Sequence, residues 1–385
     1  MLYQKSLFTT TFMAVAFIAV FCSSCGSNNS ASNSTKDSTN AGSISTDTLK
    51  AQKPESLLPT GEKPAWGKNL TDPMAVVIEK LKSFNAPPIV TLSAVDARKQ
   101  PSPTDAVKAV IQQHSISTPP NNTDTIGKEI MVPGGKIHLR IYTPKTGKDV
   151  YPVIVYYHGG GWVIADLNTY DASAAGLANM VEAVVVSVAY RQAPENKFPV
   201  AHNDSYAAYE WVVKNAATIK GEAKEVAVVG ESAGGNLAAA VSMMARDKNF
   251  QLPVCEVLVY PIAGYDFTTA SYKESDSTMP LNSGMMKWFF DKYLSNPAQG
   301  KDPKISLVSA NLKGLPSTTI IAAQYDPLRS EGELLSDNLK KAGVSTDYKL
   351  YKGTTHEFFG MGAVVPDAKD AENYAASQLK KAFKK

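Results

Sequence analysis

The sequence has too little cysteine for a disulfide framework and too little charge of one sign for a polyanionic partner. Its three cysteines among 385 residues are Cys22, Cys25 and Cys255. Two fall in a leader-like N-terminal segment, so no internal disulfide can hold the folded part. Cys255 lies in the apolar run 254–260 and reads as a small buried hydrophobe rather than a reactive thiol. Lysine and arginine number 39 against 36 aspartates and glutamates, a formal charge of +3 that leaves no surplus to neutralise a nucleic acid backbone. His356-Glu357 lacks the second histidine of H-E-x-x-H, Gly360 standing in its place, and no glycine run has the G-x-G-x-x-G spacing ahead of a helix. Neither a metal nor an organic cofactor is expected, and the expected partner is a small molecule.

The apolar run 7–21 is too short to span a bilayer comfortably, has Lys5 before it and is followed by Cys22-Ser23-Ser24-Cys25-Gly26. Residues 1–24 therefore read as a signal peptide, and the small residues before Cys25 resemble the cleavage box of bacterial lipoproteins, in which that cysteine is lipidated. Cys22 stands where that box has an aliphatic residue, and the other reading is a plain signal peptide. The expectation is an exported protein anchored to a membrane through Cys25, at the periplasm or cell surface, or else simply secreted. Residues 25–60, rich in serine, threonine, asparagine and glycine, read as a flexible tether.

What the sequence does have is two glycine-rich strings. Gly230-Glu231-Ser232-Ala233-Gly234-Gly235 fits G-x-S-x-G and lies between a β-branched run, 225–229, and an alanine- and methionine-rich helix former, 236–246. A serine on a strand-to-helix turn is the expected nucleophile. His158-Gly159-Gly160-Gly161-Trp162 follows another buried-strand run, 153–157, and its bare backbone N–H groups can converge on one point, an oxyanion hole.

From about residue 70 helical segments come first, at 72–84 and 103–113. Strands are then expected at 129–132, 136–142, 153–157, 183–188, 225–229, 254–260, 318–323 and 347–351, with helices at 171–181, 201–216, 233–246, 331–342 and 367–383. Such alternation predicts an α/β fold with a mostly parallel sheet flanked by helices. The stretch 264–304 carries no strand, but Asn282-Ser283 can cap a helix bearing Met285, Met286, Trp288, Phe289 and Phe290. With residues 66–125 it is expected to form a helical cap over Ser232, and Trp162, Trp288 and Phe289 are the expected substrate-pocket residues.

Ser232 needs a base and a group to orient that base. In α/β-hydrolases the order is Ser, acid, His, and of the five histidines only His356 follows Ser232. Among the intervening acids, Asp266 precedes the insertion and Glu331 sits at a helix start, where a carboxylate already has a structural reason to be. Asp326 ends an apolar strand and is stopped by Pro327, so it is the expected partner.

His158-Gly159-Gly160-Gly161-Trp162, Tyr190-Arg191-Gln192-Ala193-Pro194-Glu195, Phe198-Pro199, Gly230 to Leu237, Tyr260-Pro261, Asp326-Pro327-Leu328-Arg329 and His356 together resemble the bacterial hormone-sensitive-lipase-like family of α/β-hydrolases, from about residue 70 to the C-terminus. The resemblance implies an α/β-hydrolase domain over 61–385 with a cap from N-terminal helices and a mid-chain insertion. It also implies a carboxylesterase using Ser232, His356 and Asp326, with the oxyanion on the N–H groups of Gly159, Gly160 and Ala233. Gln192 replaces the family's leucine, Ser330 an acid, and Glu357 the frequent glycine after the histidine. Short acyl chains are expected. An amidase or peptidase on the same residues and a non-catalytic ligand-binding relative are the other readings, and the oligomeric state leaves no signal.

Overall fold

The computed structural model describes residues 53–383. Cys25 and the expected signal peptide lie outside them. The eight strands are β1 Thr123–Val132, β2 Gly135–Pro144, β3 Tyr151–Tyr157, β4 Val184–Ala189, β5 Gly221–Glu231, β6 Cys255–Val259, β7 Ser317–Tyr325 and β8 Thr346–Thr355. They form one sheet in the order β1-β2-β4-β3-β5-β6-β7-β8. β1 and β2 are a hairpin, β2 also runs antiparallel to β4, and every pair from β4 to β8 is parallel. All seven residues of β3 are buried, which is what helices on both faces of a parallel sheet require and why its sequence is a continuous apolar run without alternation.

Two apolar layers cover the faces. One packs Val153, Val155, Val226 and Val228 against the helices Val200–Asn215 and Ala233–Asp247; the other packs Ile154, Tyr156, Ala227 and Val229 against Asp171–Val181 and Pro366–Ala382. Successive residues of one strand thus feed opposite layers. Cys255 belongs to the second layer, 5% exposed, with its thiol pushed up to about 12 by burial.

Helices Asp72–Ser83 and Pro103–Gln113 precede the sheet. Ser102 and Asp105 close a reciprocal capping box at the start of the second, a device worth about 1 kcal/mol. The insertion carries Ala270–Glu274 and Ser283–Tyr293, the latter capped by the Asn282 side chain on the Met285 N–H. The fold also starts earlier than the tether reading allows. Leu57 is wholly buried, and Thr60 gives its backbone N–H to Glu79. Burial of that one leucine is worth roughly 1.5–3 kcal/mol, enough to fix a segment whose composition is otherwise that of a linker.

Candidate active site

The turn from β5 into the helix Ala233–Asp247 holds Ser232 at φ +57 and ψ −118. This is a strained backbone for a residue with a Cβ. It is over-determined by its neighbours: the Ser232 N–H donates to Val259 O at 2.9 Å, and its carbonyl accepts from Ile262 and Asn236. A Cβ on Gly230 would run into the Gly234 carbonyl, so the small residues of the motif let strand and helix close at this angle.

β8 ends at Thr355, and the next residue, His356, places Nε2 2.9 Å from Ser232 Oγ and Nδ1 2.7 Å from Asp326 Oδ2. Asp326 follows β7 and is 1% exposed; its other oxygen accepts the Leu328 N–H at 2.8 Å. The structure thus brings Ser232, His356 and Asp326 into one hydrogen-bonded line. Asp266 instead accepts from Thr268, and Glu331 is buried with Oε1 on the Ala263 N–H. Of the other histidines, His158 stacks on Tyr190 at 4.3 Å and His202 bridges Tyr293 and Asn236. Burial drives both down to about 4, so they are neutral structural rings.

Burial also disfavours the imidazolium of His356, but the carboxylates of Asp326, Glu357 and Glu231 outweigh it and the net shift is upward. A base with a raised pKa stays protonated, and therefore idle, to higher pH. The acid limb of kcat/KM is accordingly expected at or above the ordinary histidine value of about 6.5. A pH–rate profile flat down to pH 5 would contradict a histidine base held in this way.

After β3 the glycine loop carries Gly160 at φ +94 and Gly161 at φ +57. A Cβ on Gly160 would strike the Ile164 carbonyl, whereas Gly160 O accepts from Val163 and Ile164 and closes the loop on itself. Gln192, the departure noted above, donates to Ile164 O and Ala165 O and holds the loop's exit. No backbone partner is described for the N–H groups of Gly159, Gly160 or Ala233, the last being a first-turn donor that a helix leaves free.

Trp162 is not among the walls of the cavity beside the glycine loop. It is fully buried at φ +61, stacked on Tyr293 at 4.5 Å and packed against Phe290. Trp288 and Phe289 are also buried, 7% and 4% exposed, and pack edge-to-face on each other. The aromatic stripe therefore joins the insertion to the core, although the Phe289 ring lies against Gly161. The cavity near the glycine loop, 930 Å³, is walled instead by 81–108, 164–170, Gln192, Met279 to Met285, Gly160 and Glu357. Ser232 and His356 are not among its walls, and they are 4% and 2% exposed.

Sequence reasoning missed a second polar group around the histidine. Glu231, the variable residue of the serine motif, accepts from Tyr156 and Tyr260, and the Tyr260 ring lies 4.5 Å from His356. Burial raises Glu231 to about 7. Tyr260-Pro261 stood among the motifs, but only the fold places that tyrosine under the base.

Comparison with known proteins bears on the fold and the family. Residues 154–360 match the family model described as an alpha/beta hydrolase fold. The chain is 36% identical over 251 residues to carboxylesterase NlhH of Mycobacterium tuberculosis, covering 64% of this chain and 79% of that one. It is 31% identical to the ethyl acetate hydrolase of Pseudomonas putida over 61% of this chain and 75% of that one. Among solved structures, the hyperthermophilic esterase of Pyrobaculum calidifontis superposes with a TM-score of 0.70 at 34% identity, covering 78% of this chain and 95% of that one.

Proposed function

The chain belongs to the hormone-sensitive-lipase-like family of α/β-hydrolases, and from that premise we propose that it is a carboxylic ester hydrolase working through an acyl-enzyme on Ser232. The observation that carries this reading is the line Asp326–His356–Ser232, with contacts of 2.7 and 2.9 Å beside three N–H groups that have no described backbone partner.

His356 Nε2 takes the Ser232 proton as Oγ bonds to the ester carbonyl carbon. The carbonyl oxygen becomes an oxyanion held by the N–H groups of Gly159, Gly160 and Ala233. His356 returns the proton to the alkoxy oxygen as the C–O bond breaks and the alcohol leaves. Water then attacks the acyl-enzyme by the same route, giving the acid and free serine. Throughout, Asp326 keeps the Nδ1 proton in place and stabilises the imidazolium.

Short acyl groups fit this arrangement best. The 930 Å³ cavity comes as near as Glu357, the residue after the histidine, and we assign it to the alcohol, while Phe289 closes on Gly161 and leaves little room for the acyl chain. Across p-nitrophenyl esters from acetyl to dodecanoyl, kcat/KM is expected to peak at acetyl to hexanoyl and to move to longer chains in Phe289→Ala. A parent fastest on the dodecanoyl ester would refute it.

Export and lipid anchoring rest on residues 1–25 of the sequence alone. Two acyl signals give stable membrane attachment where one does not. Cys25→Ala is expected to shift the protein from the membrane to the soluble fraction, and equal membrane recovery would leave a plain secreted enzyme.

A further inference from the structure

The residue after the histidine has a role that family resemblance does not supply. Glu357 occupies the position where the resemblance leads one to expect glycine, and it does so at φ +67, a backbone that strains any side chain with a Cβ. Its carboxyl turns toward the reaction centre. Oε1 accepts the Tyr170 hydroxyl at 2.6 Å and stands 3.9 Å from His356 Nε2, the nitrogen that faces Ser232. No hydrogen bond is described for Oε2, the side chain is 19% exposed, and the residue lines the 930 Å³ cavity. The Tyr170 hydroxyl lies against Gly159 of the oxyanion loop, close enough that a Cβ there would collide with it. Glu357 is therefore fixed between the loop and the base, with Oε1 anchored on Tyr170 and the residue itself on the cavity wall.

Only a narrow set of substrate atoms can meet that carboxyl. The departing alkoxy oxygen receives its proton from Nε2, so it must come within hydrogen-bond distance of that nitrogen. A carboxyl less than 4 Å from the same nitrogen is then within reach of a donor on the carbon next to the alkoxy carbon. We infer that Glu357 is a specificity-determining residue that accepts a hydrogen bond from a hydroxyl vicinal to the scissile ester oxygen, so that the preferred substrates are short-acyl esters of diols and polyols. This rests on the esterase reading above. The charged groups of the cavity wall balance, Lys82, Arg98 and Lys108 against Asp105, Asp166 and Glu357, so no net charge calls for an ionised substrate and a neutral hydroxyl suffices as the donor. The role also accounts for the strained backbone, because glycine would remove the strain and the acceptor together.

The test compares two acetates that differ only in the donor, 2-hydroxyethyl acetate and 2-methoxyethyl acetate, in the parent and in Glu357→Gly. Glycine suits φ +67, and the ratio of the two kcat/KM values cancels any loss of folded enzyme. The parent is expected to favour the hydroxyl substrate by about tenfold or more, as a hydrogen bond to a charged acceptor allows. In Glu357→Gly, and in Glu357→Asn, which tolerates the same backbone but is shorter, the ratio is expected to fall toward one. A parent ratio near one, or a ratio that survives both substitutions, overturns the inference. p-Nitrophenyl acetate, which offers no hydroxyl, separates the two claims: a parent that turns it over without preferring the hydroxyl acetate loses this inference alone, whereas a parent that cleaves no ester loses the esterase reading.

Discussion

Ser232→Ala is expected to lower kcat on p-nitrophenyl acetate by about 10⁶, the loss seen when the nucleophile of a serine hydrolase is removed. The side chain is 4% exposed, and its Oγ lies at the His356 ring. Removing it deletes the atom that bonds to the acyl carbon while the turn keeps its anchors, the Ser232 N–H on Val259 O and the carbonyl on Ile262 N–H. Both anchors are backbone groups that alanine also supplies. A thermal midpoint close to the parent's should therefore accompany the loss. Turnover within a hundredfold of the parent would mean that another group attacks the ester.

Asp326→Asn is expected to cost about 10⁴ in kcat with little change in fold. The direction follows from the two oxygens of Asp326. Oδ1 accepts the Leu328 N–H, so an amide oxygen must take that place, and the amide NH₂ is then turned to His356 Nδ1. Facing a donor, Nδ1 must give up its proton, which moves to Nε2. Nε2 can then no longer accept the proton of Ser232. Glu331→Gln makes the contrasting variant, because Glu331 holds the Ala263 N–H and has no described bond to His356. It should stay within tenfold of the parent in kcat. If the glutamine proved the more damaging change, the acid would be Glu331.

Much of this site is legible before any coordinates, and the reason is local. G-x-S-x-G between an apolar strand and a helix former fixes where a serine must stand, and His356 is the one histidine after it. The bounds of Asp171–Val181 and Pro103–Gln113 coincide with the expected 171–181 and 103–113, since a first-turn proline marks one start and the periodicity is clean. Short elements escaped. Pro54–Ser56, Ala94–Ala97 and Ala270–Glu274 are three to five residues long, too few for a period to show.

The aromatic residues show a different limit. Composition marks Trp162, Trp288 and Phe289 as large and apolar, but periodicity cannot say whether a ring faces a ligand or a neighbouring helix, and here Trp162 spends its surface on Tyr293 and Phe290. The tether ends early for a related reason, because one leucine in a polar stretch carries no pattern, yet it is enough to dock the segment. Glu357 was visible only as a departure from a motif. Its backbone angle, its hold on Tyr170 and its distance from Nε2 are tertiary facts that no spacing encodes.

Covalent trapping tests most directly whether Ser232 Oγ is the atom acylated in turnover. The parent, treated with a p-nitrophenyl phosphonate that mimics the tetrahedral oxyanion, should lose activity and gain one phosphonyl group, with one p-nitrophenol released per chain. Peptide mass mapping should place the adduct on Ser232, and Ser232→Ala should gain none. An adduct on any other residue, or equal labelling of the Ser232→Ala protein, would contradict the account.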